Sequence, residues 1–477
     1  MSNKPKILIL SSSLFTDRTL LYSTMAPYLV QRAKVEVWVS SLPANAQLWQ
    51  QKGYLALPFP KVNDFKERLN LLREINHTAW AYALPAPAIL GMRRFNKKNL
   101  NLPNNYKYWH FFPFITFWIG RLLGFLRLHR FFEQWLMKKT ERANRSTEAA
   151  ERLRQLKPDL LVTTGPMWLY DAAVCIEARQ QGIPIFSFIP SWDNITTKSR
   201  FTYYSNAYGV WSNVRTQELH KYYPYTKTKK VYPVGAPQYD VFFEEKYRVS
   251  RSAFCQSYGL NSDLPIVLWG LGSPIFIKSE FESGFYALQK MRQTKQLDSI
   301  QVLVRPHPNK DNWEMFDALK GFHPNVVLQQ ITQEGVNTAK RSQTEVEIAD
   351  WINTILHCDV ILNMTSTILL DGVFFDKPSV NIAYDDTPGA VYDAFLKSIN
   401  ATWPHVNSVV RSDASEYADN TDELISAIFD ALQQPEKKRN QRKQLWIDIV
   451  NNPNGRAGEA MAMAILQTAK DHQKQIK

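Results

Sequence analysis

Short apolar runs that alternate with helical patterns constrain the fold of this chain more than any other feature. The first run, Lys6–Leu10, is followed by a loop to about Arg18 and by a helix that ends at Gln31. Residues 35–40 then alternate between apolar and polar side chains, as a strand does. Two strands joined through a helix lie parallel in one sheet. The pattern therefore predicts an α/β fold.

The same order of elements recurs along the chain. The run Asp159–Thr164, a helix over about residues 169–181 that Gly182 ends, and the run 184–188 form a second strand–helix–strand unit. After a break near residues 240–262, further strands and a helix are predicted at Pro265–Trp269, Ser299–Val304, Asp359–Asn363, about Ser366–Phe375 and Pro378–Ile382.

The length of the chain, 477 residues, exceeds the roughly 250–300 residues at which a single core stops growing. We therefore expect two doubly wound α/β domains that face each other across a cleft. The N-terminal domain would cover residues 1–245, and the C-terminal domain residues 246–477 with the last helices. In such sheets ligands bind beyond the carboxyl ends of the strands, so the cleft is the expected active site.

The composition carries an excess of positive charge. There are 57 Lys and Arg against 44 Asp and Glu, a formal charge of +13. This excess predicts an acidic partner, which could be nucleic acid, an anionic membrane or a phosphorylated substrate. The sequence contains no zinc finger, aromatic RNA-binding motif or basic helical arm, so we expect no nucleic-acid partner. The membrane and the phosphorylated substrate both remain open.

The cysteines and the N-terminus indicate the compartment. Cys175, Cys255 and Cys358 lie far apart and outside any metal-binding spacing, which is typical of buried thiols in a reducing cytosol. The apolar run that ends at Leu10 is too short for a signal peptide. We therefore expect a cytoplasmic protein.

A basic and aromatic insertion at about residues 105–145 stands out in the N-terminal domain. Its apolar stretch from Phe111 to Ile119 is shorter than the about 20 residues of a spanning helix, and Arg121 interrupts it. Two interpretations are open. The segment 109–139 lies in the interface of an anionic membrane, at the inner face of the plasma membrane, or it packs inside the domain while its arginines reach solvent.

The segment Asn363–Asp371 makes the strongest case for a ligand site. Thr365, Ser366 and Thr367 follow a buried strand and begin a helix, where hydroxyls, backbone N–H groups and the helix dipole favour a phosphate. Asp371 lies on the same helix face as Thr367 and can accept hydrogen bonds from a ribose diol. The alternative is that the hydroxyl residues cap the helix and Asp371 is solvated. Asp371 interrupts an otherwise apolar helix, which favours the ligand site.

The ends of two further strands carry candidate phosphate-binding residues. Arg305 and His307 lie in a turn stiffened by prolines, where arginine can bind a phosphate and histidine can donate a proton to it. A rigid surface turn is the alternative. Gly272 and Ser273, followed by Lys278, form a turn that can also approach a phosphate, although such turns are common without a ligand.

Two aspartates of the N-terminal domain are candidates for a general base. Asp193 shares the loop 190–198 with Trp192 and with several hydroxyl and amide side chains, a combination that can bind a sugar. Asp17 lies in the loop after the first strand. For both residues, capping of the local backbone is the alternative.

These motifs resemble those of the GT-B glycosyltransferases, whose two domains are Rossmann-like. Within that superfamily the chain is most similar to the polymer-forming branch of CDP-glycerol glycerophosphotransferases and capsule or lipopolysaccharide sugar transferases. Val304–Pro308 is similar to the RPHP or KLHP motif of that branch, and Asp359–Asp371 with Lys377-Pro378 is similar to its donor loop and helix. The likeness covers residues 262–390 well and the first domain only in layout.

The resemblance implies a functional histidine at His307, and contacts to the donor phosphates and ribose from Ser366, Thr367 and Asp371. It implies transfer of a sugar or polyol phosphate from a nucleotide donor to a hydroxyl of a glycan or lipid-linked acceptor, without a metal or a cofactor. Two positions depart from the pattern of the branch. Asn363 stands in place of an acidic residue, and Asp376 stands in place of a glycine.

Two other functions fit the same architecture. A non-hydrolysing nucleotide-sugar 2-epimerase would use the same phosphate loop, but it has no need of the basic aromatic segment. A non-catalytic GT-B-like scaffold would bind no nucleotide.

Overall fold

The computed structural model describes residues 4–12, 16–40, 43–62, 67–84, 86–91, 111–198, 200–272, 279–307, 314–329, 343–364, 366–390 and 392–476. Contacts among these residues divide the chain into two compact units. The N-unit contains the described residues up to Asp240 and again from Asn451 onwards. The C-unit contains the described residues from Val241 to Val450.

The N-unit is built on a parallel sheet. Its strands within the described residues are β1 (Lys6–Ser11), β2 (Lys34–Val39), β3 (Leu55–Pro58), β4 (Leu160–Thr163), β5 (Ile185–Phe188), β6 (Ala207–Val210) and β7 (Lys230–Pro233). They follow the order β3-β2-β1-β4-β5-β6-β7, so β1 lies inside the sheet. Ile7–Leu10 of β1 are buried on both faces of the sheet, as expected for a strand that helices cover from both sides.

Helices connect the strands of the N-unit. Up to Asp240 they are α1 (Met25–Arg32), α2 (Pro43–Gln51), α3 (Glu67–Ala83), α4 (Phe111–Phe125), α5 (His129–Ala143), α6 (Thr147–Leu156), α7 (Leu169–Gln180), α8 (Asn194–Thr197) and α9 (Asn213–Tyr222). A π-helical turn, Asp17–Leu21, precedes α1. The predicted basic aromatic insertion corresponds to α4 and α5, which both pack against α3.

The C-unit is built on a second parallel sheet. Its strands within the described residues are β8 (Ile266–Gly270), β9 (Gln301–Arg305), β10 (Val326–Leu328), β11 (Val360–Asn363), β12 (Ser379–Ile382) and β13 (Glu416–Ala418). They follow the order β10-β9-β8-β11-β12-β13. Alternate residues of β8 enter two hydrophobic clusters: Val267 and Trp269 belong to one, and Ile266 and Leu268 to the other. This alternation places a core on each face of the sheet.

Helices cover both faces of the second sheet. They are α10 (Arg251–Tyr258), α11 (Glu280–Gln293), α12 (Glu345–His357), α13 (Ile368–Phe374), α14 (Asp393–Thr402), α15 (Pro404–Ser412), α16 (Thr421–Gln433) and α17 (Arg439–Leu445).

The chain ends in a helix that belongs to the N-unit. This helix, α18 (Ala457–Ile476), packs against α1, β4 and β6. The last helices are predicted to belong to the C-terminal domain, but in the structure the described residues from Asn451 onwards belong to the N-unit. The physical reason is local. The carboxylate of Asp240 accepts hydrogen bonds from the backbone N–H groups of Ala457 and Gly458 (3.1 and 2.9 Å) and so holds the start of α18.

The predicted fold class is confirmed: two doubly wound parallel sheets, each covered by helices, form the chain. The predicted strands agree with the observed ones to within one or two residues at each end. The three cysteines are buried and free, as predicted.

Candidate functional site

Neighbouring strands of the C-unit end at the same edge of its sheet. Gly270, the last residue of β8, pairs with Arg305, the last residue of β9. Asn363, the last residue of β11, pairs with Asn381 of β12, and β11 also pairs with β8. The loops after β8, β9 and β11 therefore lie side by side at the carboxyl edge, where parallel α/β sheets bind ligands. Three residues that are predicted to contact the donor phosphates follow these strand ends: Gly272, His307 and Ser366.

Two glycines bring the loops after β8 and β11 close together. A Cβ atom on Gly270 would lie 2.2 Å from Cδ1 of Ile368, the first residue of α13. A Cβ atom on Gly272 would lie 3.6 Å from the backbone oxygen of Met364. The predicted residue Gly272 thus lies beside the predicted phosphate segment, and glycine at position 270 leaves room for the start of α13.

Two hydroxyl residues of the loop between β11 and α13 are at least partly accessible. Ser366 is half-buried, and its backbone N–H donates a hydrogen bond to Oδ1 of Asn363 (3.0 Å). Thr367 is exposed and is the N-cap of α13, but its side chain makes no capping hydrogen bond. The hydroxyl of Thr367 is therefore not used by the helix in the way that the capping alternative requires.

Asp371 is buried in α13, with 5% of its surface exposed. The alternative in which Asp371 is a solvated helix residue is therefore wrong, because the helix turns this face toward the interior of the C-unit. The same burial leaves little of the carboxylate accessible to a ribose. A structural role thus competes with the predicted ribose contact.

Arg305 is engaged by α12. Its Nη1 lies 2.9 Å from Oδ2 of Asp350 and 3.4 Å from the hydroxyl of Thr354, and its guanidinium stacks 4.6 Å from the ring centroid of Trp351. These contacts give Arg305 a structural role on one face of the sheet. A donor phosphate would have to compete with Asp350 for this guanidinium.

His307 lies two residues beyond the end of β9 and is half-buried. Three other predicted donor residues, Thr365, Ser273 and Lys278, lie outside the described residues.

Two buried polar side chains, Glu280 and Asn363, lie at the same edge, and Glu280 was not predicted to belong to the site. Oε2 of Glu280, at the start of α11, accepts a hydrogen bond from the backbone N–H of Gly272 (2.9 Å). Burial raises the pKa of Glu280 to about 8, so this carboxyl group is protonated at neutral pH. Among the described residues, Oε1 of Glu280 and Nδ2 of Asn363 have no hydrogen-bond partner. No local pattern in the sequence signals that Glu280 is buried.

At the corresponding edge of the N-unit sheet, Asp17 belongs to a buried polar network. Its Oδ1 accepts hydrogen bonds from the hydroxyl of Ser11 and from Nε1 of Trp49 (2.9 Å). The hydroxyls of Thr16 and Thr164 lie 2.5 Å apart and join the loops after β1 and β4. Asp17 begins the π-helical turn and does not lie in the predicted loop. It is 1% exposed, so its hydrogen bonds hold it in place and solvent does not reach it directly.

Asp193 bonds mainly to its own loop. Its carboxylate accepts from the hydroxyls of Ser191 and Thr197 (2.5 and 2.9 Å). Asp193 is the N-cap of α8, but its side chain makes no capping hydrogen bond to this helix, so these contacts differ from the backbone capping that the alternative requires. A residue that was not predicted to belong to the site supports this loop: Nη1 of the buried Arg215 donates to the backbone oxygen of Trp192 (2.9 Å). An arginine in the first turn of α9 gives no sequence signal of its burial.

The sequence matches no protein-family model and no curated protein. Solved structures match it along almost its whole length. A UDP-GlcNAc 2-epimerase from Neisseria meningitidis, bound to UDP-GlcNAc, is 12% identical with a TM-score of 0.54, and the match covers 97% of this chain and 100% of that chain. A putative UDP-N-acetylglucosamine 2-epimerase from Listeria monocytogenes is 11% identical with a TM-score of 0.53, over 99% and 98% of the two chains.

A glycosyltransferase from Rickettsia africae ESF-5 is 11% identical with a TM-score of 0.51, and the match covers 99% of each chain. At such low identity the likeness shows the fold alone. The chain has the two-domain α/β fold of the GT-B type. The narrower resemblance to the CDP-glycerol and capsule transferases stays a prediction.

Proposed function

We propose that this chain is an enzyme that acts on nucleotide-activated sugars. More specifically, it is a glycosyltransferase that transfers a sugar or a polyol phosphate to a hydroxyl acceptor in the synthesis of a bacterial-type surface glycan or glycolipid. The carboxyl edge of the C-unit sheet carries this proposal, because Gly272, His307 and Ser366 follow neighbouring strand ends there. A glycine turn, a histidine and free hydroxyls are groups that bind a departing nucleotide phosphate.

In the proposed reaction of a sugar donor, the acceptor oxygen forms a bond to the anomeric carbon while the bond between this carbon and the phosphate oxygen breaks, and the nucleotide leaves with that oxygen. His307 and the hydroxyls of Ser366 and Thr367 stabilise the negative charge on the leaving nucleotide phosphate. Asp193 takes the proton of the acceptor hydroxyl, because it is half-buried whereas Asp17 is closed off from solvent. With a CDP-polyol donor the acceptor attacks the phosphorus instead, and the leaving group is CMP. We expect neither a metal nor a cofactor to take part.

Calorimetric titration with UDP, CMP and CDP tests the donor site, and we expect one of these nucleotides to bind. For a donor that the wild type turns over, His307→Ala lowers kcat by about 10²–10⁴-fold, because the leaving phosphate loses its proton donor. His323→Ala is the matched control, since His323 precedes β10 at the opposite, amino edge of the same sheet. Full turnover by His307→Ala would remove the proposed role of this residue, and failure to bind any nucleotide would favour the scaffold.

A nucleotide-sugar 2-epimerase is the second candidate, because several solved structures of similar fold bear that name. The exposed apolar and basic face of α4 and α5 favours the transferase, since an isomerase of small soluble substrates does not need such a face. Incubation with UDP-GlcNAc and no acceptor separates the two. An epimer that accumulates under these conditions would contradict the transferase proposal.

A further inference from the structure

Helices α4 and α5 are fixed to the N-unit through one face. A Cβ atom on Gly120 would lie 2.5 Å from Cβ of Thr78, and one on Gly124 would lie 2.5 Å from the backbone oxygen of Ala79, so α4 touches α3 backbone to backbone. In α5, the buried Glu133 pairs with the buried Arg200 (2.8 Å). The two helices are therefore an integral part of the unit, and their orientation is set by these contacts.

The opposite face of the same two helices is apolar and exposed. Among the described residues, nine of the sixteen exposed large apolar side chains lie between positions 115 and 135. They are Ile115, Trp118, Ile119, Leu122, Phe125, Leu126, Leu128, Phe131 and Trp135. Phe125 and Phe131 are 82% and 72% exposed. Single exposed apolar residues are normal, but a continuous group of this size marks an interaction surface. We call these nine residues the apolar face.

The apolar face is bordered by cations. Residues 111–143 contain six Lys and Arg and two Glu, which gives a net charge of +4. Both acids are already paired, Glu133 with Arg200 and Glu141 with Arg179 (3.0 Å). Arg121 lies 4.9 Å from the ring centroid of Trp118, and Lys139 lies at the same distance from Trp135. Indole rings beside cations are typical of side chains at the boundary between lipid headgroups and acyl chains.

We propose that the apolar face docks the N-unit onto an anionic lipid bilayer, with α4 and α5 lying in the plane of the interface. The positive charge around the apolar face distinguishes between two possible partners, a second copy of this chain and an anionic bilayer. A second copy of this chain would bring two faces of the same positive charge together, whereas anionic headgroups complement them. The length of α4, 15 residues or about 22 Å, suits a helix that lies in the interface and does not cross it. Among the described residues, no helix is long and apolar enough to cross a membrane.

Flotation with vesicles tests this proposal on the full chain. We expect binding to vesicles of phosphatidylcholine with phosphatidylglycerol, weaker binding to phosphatidylcholine alone, and release as the salt concentration rises. The double variant Phe125→Ser/Phe131→Ser lowers binding by about tenfold or more, because both rings lose their burial in the acyl region. Arg130→Gln and Lys138→Gln each lower binding to the anionic vesicles by about fivefold.

The matched control is Val346→Ser/Met463→Ser, which changes two exposed apolar residues of other helices and leaves binding unchanged. Thermal unfolding checks that the variants stay folded, and the high exposure of Phe125 and Phe131 predicts that they do. Equal binding by wild type and Phe125→Ser/Phe131→Ser overturns the proposal. The proposal is also overturned if the wild type does not bind anionic vesicles at low salt. If the wild type forms a concentration-dependent dimer and Phe125→Ser/Phe131→Ser does not, the apolar face binds a second copy of the chain instead.

Discussion

The protonation of Glu280 is controlled by its burial at the carboxyl edge of the C-unit. The pKa of this residue rises from 4.5 to about 8 in the folded chain. Between these two pH values the unfolded chain loses a proton that the folded chain keeps. The contribution of Glu280 to stability is therefore fully present below pH 4.5 and is lost as the pH rises to about 8.

We therefore expect Glu280→Gln to flatten the pH dependence of folding. In the wild type, this group lowers the free energy of unfolding by up to about 1.4 kcal/mol for each pH unit within that window. The amide cannot ionise, so the variant loses this slope. Urea unfolding at several pH values between about 5 and 8 measures the effect. Glu282→Gln, an exposed residue of the same helix, is the control. Equal slopes in the wild type and Glu280→Gln would contradict the burial argument.

Asp376 explains one departure from the pattern of the resembling family. It follows α13 with a φ of 55°, in the left-handed region where glycine is favoured. Its carboxylate accepts from Nε of Arg439 (2.6 Å) and Nε of Arg442 (2.8 Å). Two ion pairs thus offset the cost of about 1–2 kcal/mol that a side chain has in this conformation.

At the scale of elements, the strands could be predicted because they are buried on both faces. A parallel strand that helices cover on both sides has an unbroken apolar sequence. In β11 the apolar run stops where the strand ends, at Asn363. The edge of the sheet at which ligands bind follows from parallel strands alone. For this reason Gly272, His307 and Ser366 could be assigned to one edge from the sequence.

Contacts between distant segments could not be predicted. Arg305 pairs with Asp350, 45 residues away, and Glu133 pairs with Arg200, 67 residues away. A lone arginine at a strand end fits a phosphate site and a structural ion pair equally well, and only the folded chain shows its partner. The burial of an ionisable helix residue such as Glu280 could not be predicted either, because it depends on how α11 packs against the sheet.

The close packing of α4 against α3 depends on glycine residues of α4. We expect Gly120→Leu to lower the free energy of unfolding by about 1–3 kcal/mol, because the new side chain would overlap Thr78 and push the helices apart. Thermal unfolding measures this loss. Arg121→Leu adds the same side chain to the exposed face of the same helix and should change stability little. A Gly120→Leu variant as stable as the wild type would show that α4 does not need this close approach.

At the scale of the whole molecule, the chain leaves the N-unit after Asp240 and returns to it at Asn451. The amphipathic pattern of α18 fits packing on either unit, so the sequence alone could not assign this helix. Asp240 fixes the assignment. Its buried carboxylate also accepts from the backbone N–H and hydroxyl of Thr24 (3.0 and 2.6 Å) and from Nδ2 of Asn452 (2.7 Å). One side chain thus joins the start of α1 to the start of α18.

We expect Asp240→Ala to destabilise the N-unit by about 2–4 kcal/mol, because several buried donors lose their shared acceptor. The C-unit contains neither α1 nor α18, so its affinity for a nucleotide should stay unchanged. Hydrogen exchange of the α18 amides and calorimetry with the bound nucleotide measure the two effects separately. Asp263→Ala, at an exposed site, controls for the loss of a carboxylate. Faster exchange confined to the C-unit would contradict the role of Asp240, because its hydrogen bonds hold only elements of the N-unit.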